Sequence, residues 1–176
     1  MLTTIERVKR ELAITELKDD ADTLITELIE SVSRMVEDYC NRIFVYGEYT
    51  EIFNGEGQNR IYLKGFPVYE IKSIKINGEE ITDYEKNLQI GEIYYSKGFP
   101  FGYQNIEITY TTGYDIENPS YKTPPDLEQA IVEEVIARFE NLTTQTRTGE
   151  NLVDLRTQFL TGRARDYFSR QRNINV

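Results

Sequence analysis

Residues 53–68, FNGEGQNRIYLKGFPV, set three glycines and a proline between runs of aromatic and β-branched residues. Two readings compete for Gly55-x-Gly57, and they lead to different folds. A phosphate-binding loop needs its glycines directly before a helix, so that backbone N–H groups and the helix dipole converge on the anion. Here the glycines lead into Arg60, Ile61, Tyr62, Leu63 and Lys64, which alternate with the period of a half-buried strand. There is no Gly-Lys-Ser/Thr. The stretch therefore reads as a hairpin loop in which Asn54 and Gly55 supply positive φ. The centre of the chain is then β-structured rather than nucleotide-binding.

Working outward, the same period of two runs through IFVYGEYTEIF (43–53), RIYLK (60–64), VYEIKSIKI (68–76), LQI (88–90), EIYYS (92–96) and NIEITYTT (105–112). These predict short strands of an antiparallel sheet. Ile106, Ile108 and Tyr110 face the core, while Glu107, Thr109 and Thr111 face outward. Asn77-Gly78 is the dipeptide favoured in a two-residue hairpin turn. Between Tyr69/Ile71 and Ile74/Ile76 the apolar phase slips, which predicts a bulge near Ser73.

On either side of this block the period is helical. Leu2, Ile5, Val8 and Leu12 predict a short first helix ending near Ile14, with Thr3 and Glu6 as a capping box. A second helix takes Asp19 or Asp20 as N-cap and carries one stripe from Leu24 through Ile25, Leu28, Ile29, Val32, Met35, Val36 and Tyr39 to Cys40. Cys40, the chain's single cysteine, fits that stripe as a small core residue. Pro124 and Pro125 set up the first turn of another long helix, Asp126 to about Asn141, with Leu127, Ile131, Val132, Val135, Ile136 and Phe139 buried. LTTQTRTGENLVDL (142–155) is polar and weakly patterned. The predicted class is α+β: a helical N-terminal pair, a small antiparallel sheet, a long C-terminal helix against the first long helix, and a flexible C-terminal arm. The corresponding domains are 1–146 and a basic arm, 147–176.

Composition narrows the chemistry. The chain of 176 residues has a net charge of −10 and no histidine, so it lacks the commonest general base and the commonest nitrogen metal ligand. Asp19–Asp22 lacks the order of a calcium-binding loop and reads as a helix start. No catalytic residue, cofactor site or metal site is predicted. A glycosidase-type carboxylate pair remains open in principle, because spacing in sequence does not define separation in space. The N-terminus has no signal-peptide pattern, and no stretch approaches the roughly 20 apolar residues of a membrane span. A soluble intracellular protein without membrane contact is expected.

The charge is uneven: residues 147–176 carry +3 and residues 1–146 carry −13. An acidic body repels nucleic-acid phosphates. Aromatics in YGEYTEIF, EIYY and FPFGY are expected to pack in the core. Tyr167 and Phe168 among arginines instead have the composition of interface anchors.

TTIERVKRELAI, LITELIESVSRMVEDYCNR, FPV before IKSIKI, and PPDLEQAIVEEVIARFEN succeed one another in an order that resembles the phage head-tail connector (adaptor) protein family over residues 3–142. The resemblance implies a structural protein of the virion head-tail junction, assembled from the host cytoplasm as a ring, commonly twelvefold, under the portal. DNA would pass through without specific binding. It further implies the portal protein, the tail completion or stopper protein and other copies of the chain as partners, and no catalysis. The C-terminal segment would dock on the portal through Arg163, Arg165, Tyr167, Phe168 and Arg170, so that removing residues beyond 146 should spare the fold. Loops 54–59 and 97–104 are candidate channel rims. The family pattern has Trp or Tyr near the end of the second long helix, where this chain has Arg138 and Phe139. The alternatives are an acidic DNA mimic or inhibitor that binds a DNA-handling protein, and the carboxylate glycosidase.

Overall fold

A computed structural model describes residues 1–13, 19–116, 118–148 and 160–172, and of 19, 20 and 143–148 the backbone alone. The chain forms two compact units, Met1–Cys40 with Asp115–Arg172 and Asn41–Tyr114. The first is helical and the second is β-structured, as the α+β reading expects.

In the helical unit α1 spans Ile5–Glu11 and is capped by Thr4, whose hydroxyl accepts from the Arg7 N–H at 3.2 Å. The expected cap, Thr3, is buried and donates instead to Glu128 Oε1 at 3.3 Å. Its side chain is used across the unit, so the frame starts one residue later and Glu6 falls out of the capping-box position. The helix stops at Leu12 with Ala13 at φ 53°, short of Ile14, which lies outside the described residues.

The next helix, α2, spans Asp19–Cys40. Asp19 and Asp20 are therefore helical residues and not the residue that precedes the helix. Ile25, Ile29, Val32, Val36 and Cys40 are buried at helical spacing, with Leu24, Leu28, Met35 and Tyr39 half-buried beside them. After α2 in this unit comes α3, Pro125–Thr148, which packs on it. Proline at the first helical position starts it as expected, but the helix runs on past Asn141. Its buried row is Leu127, Ala130, Ile131, Val132, Val135 and Phe139, while Ile136 is half-buried. Glu134 and Arg138 join that row as an ion pair at 2.8 Å with 1% and 10% side-chain exposure. The last helix, α4, is Gly162–Ser169.

In the β unit four strands pair in the order β1-β7-β3-β4 and three in the order β2-β6-β5. Their ranges are β1 Gly47–Gly55, β2 Arg60–Tyr62, β3 Val68–Ile76, β4 Glu79–Glu80, β5 Glu85–Asn87, β6 Glu92–Tyr94 and β7 Gly102–Thr112. Every ladder is antiparallel. One cluster of buried side chains draws on both sheets: Ile61 and Ile93 from one, Ile74, Ile106, Ile108 and Tyr110 from the other.

Asn77 and Gly78 both have positive φ, 53° and 84°, and turn β3 into β4. The β3–β7 register shifts between Ile71 and Ser73, the expected bulge, and again between Val68 and Glu70. LQI is not a strand. It is a turn in which Leu88 packs on the core while Ile90 stays 48% exposed, and the strand lies just before it as β5.

Residues 53–68 do not form the expected hairpin either. Gly55 ends β1 and Arg60 begins β2, yet these strands belong to different sheets, with β1 paired to β7 and β2 to β6. NGEGQN is thus a passage between sheets, and the positive φ falls on Gly57 at 80°, not on Asn54 or Gly55. Long-range pairing outcompetes the local hairpin. β1 meets β7 over most of its length, the Thr50 and Thr109 hydroxyls lie 2.9 Å apart, and Glu51 accepts a hydrogen bond from the Tyr110 hydroxyl.

Candidate assembly surfaces

The glycine loop holds no anion site. Gly55 N–H donates to Asn105 Oδ1 at 2.8 Å, Glu56 N–H to Gln58 Oε1 at 2.6 Å, and Gly57 N–H to Phe99 O at 3.0 Å. These donors are spent inside the protein, and a strand comes after them. Among the described residues no group of three acidic or cysteine side chains is placed to hold a metal ion. Among the described residues, too, no helix is long and apolar enough to cross a membrane.

Of the five side chains expected to dock on a portal, the structure separates three from two. Arg163 and Arg165 on α4 and Arg170 at its C-cap are exposed. Phe168 is fully buried, together with Ala164 and Leu160 at 2% and 6% exposure. Tyr167 is half-buried; its hydroxyl donates to Asp126 Oδ2 at 3.0 Å and its ring meets Phe168 edge-on, with centroids 5.3 Å apart. Phe168 is therefore corrected from a surface anchor to a core residue of the helical unit, and truncation at 146 would strip that core.

The placement of α4 has a polar cause as well as an apolar one. Glu134 accepts from Arg138 Nε through one oxygen and from the Thr161 N–H through the other, at 2.9 Å, just where α4 begins. A buried carboxylate is tolerated only with its charge paired and its lone pairs occupied. Arg138 supplies the positive partner. Its Nη2 also lies 3.2 Å from Met35 Sδ. At the other end the Cys40 thiol donates to the Phe168 carbonyl at 3.4 Å, and the Arg172 guanidinium lies 5.7 Å from the Tyr39 ring centroid.

The two candidate rim loops, 54–59 and 97–104, are brought together in the β unit. Phe99 N–H donates to Gln58 O at 2.8 Å while Gly57 donates back to Phe99 O. Asn54 Oδ1 accepts from the Gln104 N–H at 2.7 Å, and Asn105 Nδ2 donates to Pro100 O at 3.0 Å. A Cβ on Gly55 would stand 1.7 Å from that carbonyl oxygen, so glycine is required by the close approach.

Core packing of the FPFGY aromatics holds only for Phe99. Phe101 and Tyr103 are 81% exposed, which corrects the reading for both. Their alternation with Phe99 in an aromatic run resembled one packed segment, and no local pattern marks which members lie inward.

Elsewhere in this unit Tyr110 is buried, donates to Glu51 and accepts from the Gly65 N–H at 3.1 Å, while Glu51 accepts from the Lys64 N–H at 2.9 Å. Burial first, and the Glu51 carboxylate second, push the Tyr110 phenol far above its ordinary value. It is a neutral structural donor. Nothing in that arrangement is poised for proton transfer near neutral pH.

A family model described as head completion protein matches residues 1–154. No curated protein matches the chain. Among solved structures, a chain in the neck of an empty gene transfer agent (GTA) particle with C6 symmetry aligns with TM-score 0.70 at 12% identity, over 99% of this chain and 91% of that one. A chain of the native GTA virion aligns with TM-score 0.68 over the same shares, also at 12% identity. A third, from the neck of the native GTA particle with C12 symmetry, aligns with TM-score 0.60 at 12% identity, over 98% and 89%. At this identity the likeness is one of fold.

Proposed function

The chain belongs to the head completion protein family, and we propose that it is a structural connector at the head-tail junction of a phage-like particle, closing as a ring beneath the portal and extending the DNA exit channel. The family match over residues 1–154 carries this reading. Support for a ring comes from similar folds that occur in necks with C6 and C12 symmetry. Support for a low-friction channel comes from the charge: at −10 per copy, a ring repels phosphates instead of binding them.

In this reading the exposed arginines of α4 and its C-cap, Arg163, Arg165 and Arg170, meet an acidic surface of the portal, and Tyr167 and Phe168 hold α4 in place. Their role is then positioning and not contact. The test is the triple charge reversal Arg163→Glu, Arg165→Glu, Arg170→Glu, mixed with portal and imaged by electron microscopy. Rings should persist and portal-bound rings should disappear. Portal binding at the unmodified level would remove the arginines from the interface, and absence of rings from the unmodified protein with portal would overturn the connector reading. Tight one-to-one binding to a basic DNA-handling protein would favour the DNA mimic.

A further inference from the structure

The chain has two Asn-Gly dipeptides, Asn54-Gly55 and Asn77-Gly78, both in the β unit, and their surroundings differ. We infer that Asn77 is a site of spontaneous deamidation while Asn54 is held unreactive, and that isoaspartate at 77 releases the edge strand β4 from β3. The inference is independent of the connector reading.

The chemistry needs water alone. The Gly78 backbone nitrogen attacks the Asn77 side-chain carbonyl carbon, an N–C bond forms, the proton of that nitrogen passes to the departing amide, and ammonia leaves. One water then opens the resulting five-membered imide. Opening at the side-chain carbonyl restores the peptide link and leaves aspartate. Opening at the main-chain carbonyl leaves isoaspartate, in which the chain runs through the former side chain and is one carbon longer. Glycine favours the attack because no Cβ crowds its nitrogen and its backbone turns freely.

At 77–78 the surroundings permit the reaction. Asn77, Gly78, Glu79 and Glu80 are all exposed, and a Cβ on Gly78 would meet no atom within 4 Å, so there is open space for the imide ring. The turn opens at low cost, because β4 is two residues at the end of its sheet, paired with β3 through Lys75–Glu80 and Ile76–Glu79. The Asn77 N–H donates to Asn105 O at 2.7 Å, a bond that involves neither the attacking nitrogen nor the carbon attacked.

At 54–55 the reacting atoms are tied down. The Gly55 nitrogen donates its proton to Asn105 Oδ1 at 2.8 Å, and Asn54 Oδ1 accepts from the Gln104 N–H at 2.7 Å. The Asn54 carbonyl accepts from Gln58 Nε2 at 3.1 Å, and Gly55 is buried against the Pro100 carbonyl, which leaves its backbone no room to rotate. Attack there requires several hydrogen bonds to break first.

The product changes the sheet. A two-residue turn has no place for an extra backbone carbon, since its length sets the strand register. With isoaspartate at 77 the β3–β4 register is lost, and with it the bond from the Ile81 N–H to Ile74 O at 2.9 Å. A new carboxylate then stands beside Glu79 and Glu80, and the outer edge of β3 is bare.

The experiment incubates the full chain in mildly alkaline buffer, folded and, in parallel, unfolded in guanidinium chloride. The peptides that carry Asn54 and Asn77 are followed by mass spectrometry, and isoaspartate is scored with an isoaspartyl methyltransferase. Unfolded, the two asparagines should react at similar rates. Folded, Asn77 should react at least about tenfold faster than Asn54, the factor expected when several hydrogen bonds must break before attack. In the purified isoaspartyl form the Ile81 amide should exchange hydrogen at least about tenfold faster than in the fresh protein, while the buried Ile108 of β7 stays protected. Equal rates in the folded chain, or a folded chain in which Asn77 does not react, overturn the site. A rate difference already as large in the unfolded chain assigns the selectivity to sequence and overturns the protection of Asn54. Unchanged exchange at Ile81 overturns the release of β4.

Discussion

The segment around α4 and the loop pair around Phe101 each set an aromatic pair beside polar side chains, and they use it in opposite ways. On α4 the rings turn inward: Phe168 is sealed against Cys40, Tyr167 is tied to Asp126, and three arginines are left outside. On the loops Asn54 and Asn105 knit the backbone at the surface, and the two rings are left outside. One surface is cationic on an apolar anchor, and the other is apolar on a polar anchor.

The largest effect that can break this contrast is at the rings themselves. Phe168→Ala should cost about 3–5 kcal/mol in denaturant unfolding, the range for emptying a buried aromatic site, whereas Phe101→Ala should stay within about 0.5 kcal/mol of the parent. Equal losses would mean that the rings are not used differently. A smaller effect separates the backbones. Gly55→Ala drives a methyl into the Pro100 carbonyl and should destabilise by about 1–3 kcal/mol. Gly162→Ala, with no atom within 4 Å of its new methyl at the start of α4, should be neutral or stabilise by about 0.4–1 kcal/mol.

The effect at Tyr110 sharpens the contrast at neutral pH and shrinks in alkali. Tyr110→Phe removes one buried hydroxyl and should cost about 1–2 kcal/mol. Because burial raises the folded-state phenol above its ordinary value near 10, the folded protein holds that proton more tightly than the unfolded chain. Its contribution is fully present below about pH 10 and is lost as pH rises beyond it. Denaturation midpoints measured from pH 8 upward should therefore fall more steeply for the parent than for Tyr110→Phe, while Phe168→Ala keeps the parent's slope.

Much of the fold was legible because it rests on local repetition. The α2 stripe, the Ile106/Ile108/Tyr110 alternation, the Asn77-Gly78 turn and the bulge beside Ser73 are each written in short runs of consecutive residues. The assembly surfaces were legible only in part. Arg163, Arg165 and Arg170 announced a basic face by composition, but Phe168 was assigned to that face, and Phe101 and Tyr103 were assigned to the core. In a run such as FPFGY every aromatic has the same local claim to burial. The choice was made by Gly57, Gln58 and Asn105, which lie elsewhere in the chain or carry no apolar signal.

The sequence by itself determined the element types, their inward faces, the acidity of the body and the absence of a phosphate loop, because periodicity and composition report which side chains share a face and what charge they bear. Tertiary structure decided which strand β1 pairs with, which threonine caps α1, and which aromatics reach solvent. Those outcomes turn on contacts such as Gly55 with Asn105, 50 residues apart, and Cys40 with Phe168, 128 residues apart. Loop-closure entropy makes such contacts costly until many form together, so only the assembled core selects among faces that the local pattern leaves equivalent.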